Sequence, residues 1–185
     1  IIADQLADIG MEAIHPKAAK PLELAGINIR IKNTFEPSHP GTLISRDYIL
    51  PEPRVEIVSG SRKVLAIEVH DPMMVGEVGF DGHLMQYFVE HGVSYILKST
   101  NANSITMVVW DNEKSRELVK VLQEQFYQVT AEPMAIVCAM GSNIALPGFL
   151  YRAAKALYEQ VNMQFVICRE RYEDAVVALN EALCR

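Results

Sequence analysis

KVLAIEVHDP (63–72), DGHLMQYFVEHG (81–92), VSYILK (93–98), ITMVVW (105–110), DNEKSRELVKVLQEQF (111–126) and YQVT (127–130) follow one another along one stretch of the chain. Lys63–Val69 is apolar and extended until Asp71-Pro72 ends it. Leu84, Tyr87 and Phe88 fall on one face of a helix from about Asp81 to Glu90, which His91-Gly92 closes. Val93–Lys98 and Ile105–Trp110 read as strands split by 99–103. Asp111 is placed to cap a helix from Glu113 to Gln125, whose Leu118, Val119 and Leu122 lead to Phe126. With a strand at Tyr127–Thr130, the order is β-α-β-β-α-β.

The pattern then begins again. Ala135–Met140 is strand-like, Pro147 starts a helix to about Gln160, Met163–Cys168 is a strand, and Tyr172–Leu183 is a helix. This second pass is incomplete: its first helix meets Val161-Asn162-Met163 with no middle strand, and no strand follows its last helix. Val55–Gly60, one strand too many for the first pass, is a donor for the last position. The missing middle strand has no donor, so either it is truly absent or about a dozen residues are missing between Gln160 and Val161. A mobile loop is favoured over a deletion, because losing a central strand strands its neighbours' backbone groups.

Upstream, Ala3–Gly10 and Lys17–Ala25 read as helical, the latter stopping at Gly26. Ile27–Asn33 alternates as a half-buried strand, and 35–53, with Pro37, Pro40, Gly41, Pro51 and Pro53, reads as a connection between domains. The start, Ile-Ile-Ala-Asp, shows no secretory signal and reads as the middle of a longer protein.

Composition narrows the classes. Of 185 residues half are apolar, 22% are charged, and the formal net charge is −6 without a Lys/Arg cluster. Disorder, a nucleic-acid surface and an anionic-membrane surface are disfavoured, and no apolar run approaches the roughly 20 residues of a bilayer span. Cys138, Cys168 and Cys184 form no CxxC and read as unpaired thiols of a reducing, cytoplasmic compartment. His15, His39, His70, His83 and His91 lack metal-binding spacing, so no metal site is expected.

His15-Pro16-Lys17-Ala18-Ala19-Lys20-Pro21, Ile29–Pro37 (IRIKNTFEP) and Pro40-Gly41-Thr42 resemble the end of the catalytic domain of aspartate kinases. The two βαββαβ passes resemble the paired ACT regulatory domains that follow it. Gly141-Ser142-Asn143-Ile144, Pro147-Gly148 and Val161–Val166 (VNMQFV) look like the second of these. The resemblance covers essentially the whole chain. It implies an α+β fold with two ferredoxin-like ACT units, the first (62–132) inserted within the second (55–61 plus 133–185), after a catalytic-domain remnant (1–50). The intact enzymes phosphorylate L-aspartate with ATP and Mg²⁺, the first step towards lysine, threonine and methionine, and are feedback-inhibited by lysine or threonine. Neither a GxxxxGK[ST] cradle nor the family's Lys-Phe-Gly-Gly-Thr-Ser signature is present, so no catalytic residue is assigned, no cofactor is expected here, and the chain alone is predicted inactive.

A free amino acid presents a carboxylate and an ammonium close together, and a helix N-terminus beside strand carbonyls can take both. The turn from Met74 through Glu77, Phe80 and Asp81 to Gly82, with the strand Ser94-Tyr95-Ile96, is the candidate effector site; resemblance to lysine-sensitive members matches Met74, Phe80 and Ser94. Met74 and Phe80 as plain core residues remain the alternative. Lysine sensors of this family hold the ε-ammonium with carboxylates at positions that read Ile96 and Asn101-Ala102 here. Glu77 or Asp81 could substitute, and threonine, whose hydroxyl could reach Asn101 or Asn103, is the rival effector. A homodimer through the ACT units is implied, and a ligand-free dimerisation module is the competing reading.

Overall fold

The computed structural model describes residues 16–45, 54–142 and 162–184, together with Ile14. Outside these lie the helices expected at 3–10 and from Pro147 to about Gln160, the place of the missing middle strand, His15 and the linker residues 46–53.

Helix α1 (Pro16–Leu24) ends in a Schellman arrangement. Ile27 N–H donates to the Leu22 carbonyl at 2.9 Å and Gly26 N–H to Glu23 at 3.0 Å, with Gly26 at φ 67°. Strand β1 is only Ile29–Ile31, and it pairs antiparallel with β2 (Thr42–Ile44), Ile29 opposite Ile44. The expected connection from 35 onward therefore contains a strand. Its prolines punctuate a hairpin loop whose polar groups are tied locally. Arg30 donates to the Pro40 carbonyl at 2.7 Å, Lys32 to Pro37 at 2.6 Å, and the Phe35 N–H to Asn33 Oδ1 at 3.0 Å.

The βαββαβ order holds: β3 (Arg54–His70), α2 (Phe80–Glu90), β4 (Tyr95–Thr100), β5 (Ser104–Trp110), α3 (Glu113–Gln125) and β6 (Gln128–Ser142). Strand β7 (Asn162–Cys168), a 3₁₀ turn at Arg169–Arg171 and α4 (Tyr172–Leu183) follow. Two pairs of expected short strands are single long ones, β3 and β6. Strand β3 runs through Gly60 without a break, and the fixed φ of Pro133 is compatible with an extended chain. Hydrogen bonding orders the sheet β4-β5-β3-β6-β7. Its first four strands give the ferredoxin-like arrangement.

Tertiary contacts group 62–136 with 166–172 in one compact unit, and the remaining residues in a second. In the first, the register sets Leu65 opposite Val109, Ile67 opposite Met107 and Val69 opposite Ile105. All six are buried, on the face that receives Phe80, Leu84 and Phe88 of α2 and Leu118, Val119 and Leu122 of α3. Period two on the strands and i, i+4 on α2 thus meet in one core, each large side chain contributing roughly 1.5–3 kcal/mol of transfer free energy. In the other unit Val55 and Ala139 are buried, with Val58, Met163 and Leu183 packed against them.

Asp111 does not cap α3. Asn112 does: its side chain accepts from Ser115 N–H at 3.1 Å while Asn112 N–H donates to Ser115 Oγ at 3.0 Å. The reciprocal pair needs a short side chain at each end of the turn, which Asn112 and Ser115 supply, and Asp111 is left to pair with arginines.

Candidate effector site

The path from β3 to α2 is a tight turn. Asp71 Oδ1 accepts from Met73 N–H at 2.9 Å, and Asp71 N–H donates to the Asn103 carbonyl at 3.0 Å, tying this turn to the β4–β5 turn. Gly76 (φ 81°) and Gly79 (φ 92°) take left-handed conformations that admit the chain into α2. Gly79 is the N-cap residue, and no side chain caps the first turn.

The nine expected site residues divide. Phe80 is buried, its ring edge-on to Phe126 with centroids 5.6 Å apart, and Met74 is half-buried against the same core. Both pack into the core of the unit. Glu77 is exposed, its N–H on the Met74 carbonyl at 3.2 Å. Gly82 is exposed with nothing within 4 Å of where a Cβ would lie. Ser94 is exposed, Tyr95 half-exposed and Ile96 half-buried. Asn101 is exposed, its N–H donated to the Ser104 carbonyl at 2.8 Å.

Asp81 is brought onto β4 by an ion pair with Lys98. Sequence reasoning passed over Lys98; the signal was one cation in the strand YILKST, two residues beyond Ile96. A concavity of about 250 Å³ lies elsewhere on the same unit, lined by Glu68, His70, Gln128 and Thr130, none of them among the nine.

A second charged cluster stands at the end of β5. Asp111 receives Arg116 Nε at 2.7 Å and Nη2 at 3.1 Å, and Arg169 Nη2 at 3.2 Å. Hydrogen bonding from Arg116 holds the Asp111 carboxyl below its ordinary range against an opposing desolvation, and Arg169 adds to the lowering. Cys138 is fully buried, and desolvation pushes its thiol up to about 12. At the end of α2 the His91 Nδ1 lies 2.8 Å from the Tyr87 carbonyl, and His39 Nδ1 accepts from Gly41 N–H at 3.0 Å. Among the described residues no three His, Cys, Asp or Glu side chains gather as a metal site, and no helix is long and apolar enough to cross a membrane.

No family model matches the chain. Aspartate kinase Ask_Ect of Stutzerimonas stutzeri is 40% identical to it over 198 aligned residues, which cover 98% of this chain and 42% of that protein. The alignment is longer than the chain's own 185 residues, so the relative carries residues with no counterpart here. E. coli aspartokinase III in complex with lysine and aspartate is similar in fold, with a TM-score of 0.78 and 19% identity over 100% of this chain and 45% of that one. The regulatory subunit of aspartate kinase from Thermus thermophilus gives 0.58 and 16% over 70% of this chain and 98% of that one. The chain therefore spans less than half the length of the full-length proteins it matches. In sequence and in its ACT-type α+β fold, the chain belongs with the aspartate kinases, as a counterpart of their regulatory region.

Proposed function

We propose that this chain is the amino-acid-sensing regulatory region of an aspartate kinase, acting on an enzyme that phosphorylates L-aspartate with ATP. The observation that carries the reading is 40% identity to an aspartate kinase across 98% of the chain, on a βαββαβ unit with no phosphate cradle in its sequence. ATP and Mg²⁺ belong to the catalytic part of such an enzyme; this chain's residues bind the effector and pass on its effect.

The effector is a free amino acid, lysine or threonine, held where the uncapped first turn of α2 faces β4. Its α-carboxylate takes the free N–H groups at Phe80, Asp81 and Gly82. Its ammonium lies towards Ser94–Ile96, with Glu77 and Asn101 at the rim. Residues 62–132 act as the inserted ACT unit, 55–61 with 133–185 as the second, and 1–50 as the end of the catalytic domain. The region works as a cytoplasmic homodimer. Binding favours one arrangement of the paired units, and that difference in affinity biases the attached kinase.

The test is aspartate phosphorylation by the enzyme that carries this chain, titrated with lysine and with threonine. Feedback that Ser94→Ala weakens, with turnover in the absence of effector retained, supports the reading. An inhibition curve unaltered by substitutions at Ser94 and Gly82 removes the site. ATP turnover by the 185 residues alone would remove the regulatory assignment.

A second reading, a dimerisation module without a ligand, is favoured by one observation: β4 is an edge strand, open to pairing with another chain. Under that reading neither amino acid raises the melting temperature, whereas a bound effector stabilises by RT ln(1 + [L]/Kd).

A further inference from the structure

Asp81 stands in the first turn of α2 and Lys98 in the middle of β4, and their ion pair spans the two elements between which the proposed effector lies. Lys98 is opposite Met107 in the sheet register, and Met107 belongs to the helix-facing core. The Lys98 stem therefore lies on the helix-covered face, its side chain is 20% exposed, and its ammonium is directed along the α2–β4 gap to the carboxylate. Any side chain that enters along this gap meets the Lys98 ammonium and a carboxylate that is already paired with it.

We infer that Lys98, held by Asp81, sets the side-chain class this site accepts: amino acids with uncharged side chains enter, and cationic ones are turned away. The inference deepens the effector-site reading above and rests on it. A guest carrying a side-chain ammonium brings a second positive charge to Lys98 and must break the ion pair to reach Asp81. A guest with a side-chain carboxylate meets Asp81 instead. An uncharged side chain meets neither penalty, and a hydroxyl can accept from the Lys98 ammonium. Selection comes from like-charge juxtaposition, which acts against the wrong partner more than it strengthens the right one.

Calorimetric titration of the enzyme carrying this chain with L-threonine and with L-lysine tests this. The wild type is expected to bind threonine at least about tenfold more tightly than lysine. Lys98→Met keeps the unbranched stem and removes the charge; it is expected to narrow that ratio by roughly tenfold, while Lys98→Arg preserves it. Should Lys98→Met not fold, Asp81→Asn serves: it leaves the ammonium in place without its partner, and the exclusion of lysine is expected to persist or deepen. A wild type that prefers lysine, a ratio unchanged by Lys98→Met, or lysine admitted by Asp81→Asn overturns the inference while leaving an effector site standing. Binding of neither amino acid to the wild type removes the site, and the inference with it.

Discussion

The Asp111 carboxylate and the Arg169 guanidinium, 58 residues apart along the chain, meet at 3.2 Å, and the same Nη2 reaches the Val64 carbonyl at 3.4 Å. Arg116 fastens the other side of the carboxylate, and the Arg62 guanidinium lies 5.2 Å from the centre of the Tyr172 ring. The Asp111–Arg169 pair, the hydrogen bond to Val64 and the cation–π contact are among the ties between residues 166–172 and 62–136. The Asp111 side chain is only 8% exposed, so the pair with Arg169 is shielded more than a surface pair.

Replacing Asp111 by Asn is therefore expected to destabilise the fold by roughly 1–2 kcal/mol, since Arg169 loses its anionic partner in a half-buried position. Urea denaturation followed by circular dichroism measures this. A midpoint equal to the wild type's would show the cluster to be energetically idle.

Acid has a defined effect on the same carboxylate. Its folded-state pKa lies below the ordinary 3.8, so its contribution is fully present above that value and is lost as pH falls through the folded-state value. The stability gap between wild type and Asp111→Asn is expected to stay constant from neutral pH to about pH 5 and to close only below 3.8. A gap that closed near neutrality would implicate a different group.

Thiol reactivity separates the three cysteines. Cys168 and Cys184 are exposed, whereas Cys138 is buried with its pKa raised to about 12. A disulfide reagent at neutral pH is expected to modify two thiols promptly and the third only on unfolding. Prompt modification of all three would place Cys138 at the surface.

Two glycines separate backbone strain from steric clash. At Gly79 (φ +92°) an added Cβ meets nothing within 4 Å, so Gly79→Ala carries only the left-handed penalty, about 1–2 kcal/mol. At Gly41 (φ +73°) the Cβ would stand 2.2 Å from the Ile31 carbonyl oxygen, a backbone atom that cannot turn aside. Gly41→Ala is expected to open the β1–β2 hairpin, read as faster amide exchange at Ile31 and Ile44 relative to the core. Equal protection in both proteins would refute the clash.

The βαββαβ unit was legible in the sequence because its signals were local. Alternation at Leu65, Ile67 and Val69 and the Leu84–Phe88 face needed no tertiary knowledge, and the resemblance to aspartate kinases rested on contiguous motifs. The hairpin partner β2 was missed because proline and glycine mark a turn without saying whether a strand follows. Asp111 and Asn112 are both good caps; the reciprocal pair with Ser115 falls to Asn112, and Asp111 holds Arg116 and an arginine 58 residues downstream, a partner the local sequence does not show. The Asp81–Lys98 pair was illegible for the same reason: position 81 faces position 98 only once a helix has crossed a sheet. Phe80, an apolar residue at a helix start, fits a core and a pocket equally well until the Phe126 ring is seen against it.

The shared carboxylate also sets a timetable for synthesis. Residues 62–136 leave the ribosome with every strand of the ferredoxin-like order present, yet Asp111 and the Val64 carbonyl await Arg169. At about 5–20 residues per second that delay is on the order of seconds, during which a nascent unit exists with one seam unsewn. Ribosome-stalled chains released just before and just after Arg169 would differ in protease resistance by the worth of that seam.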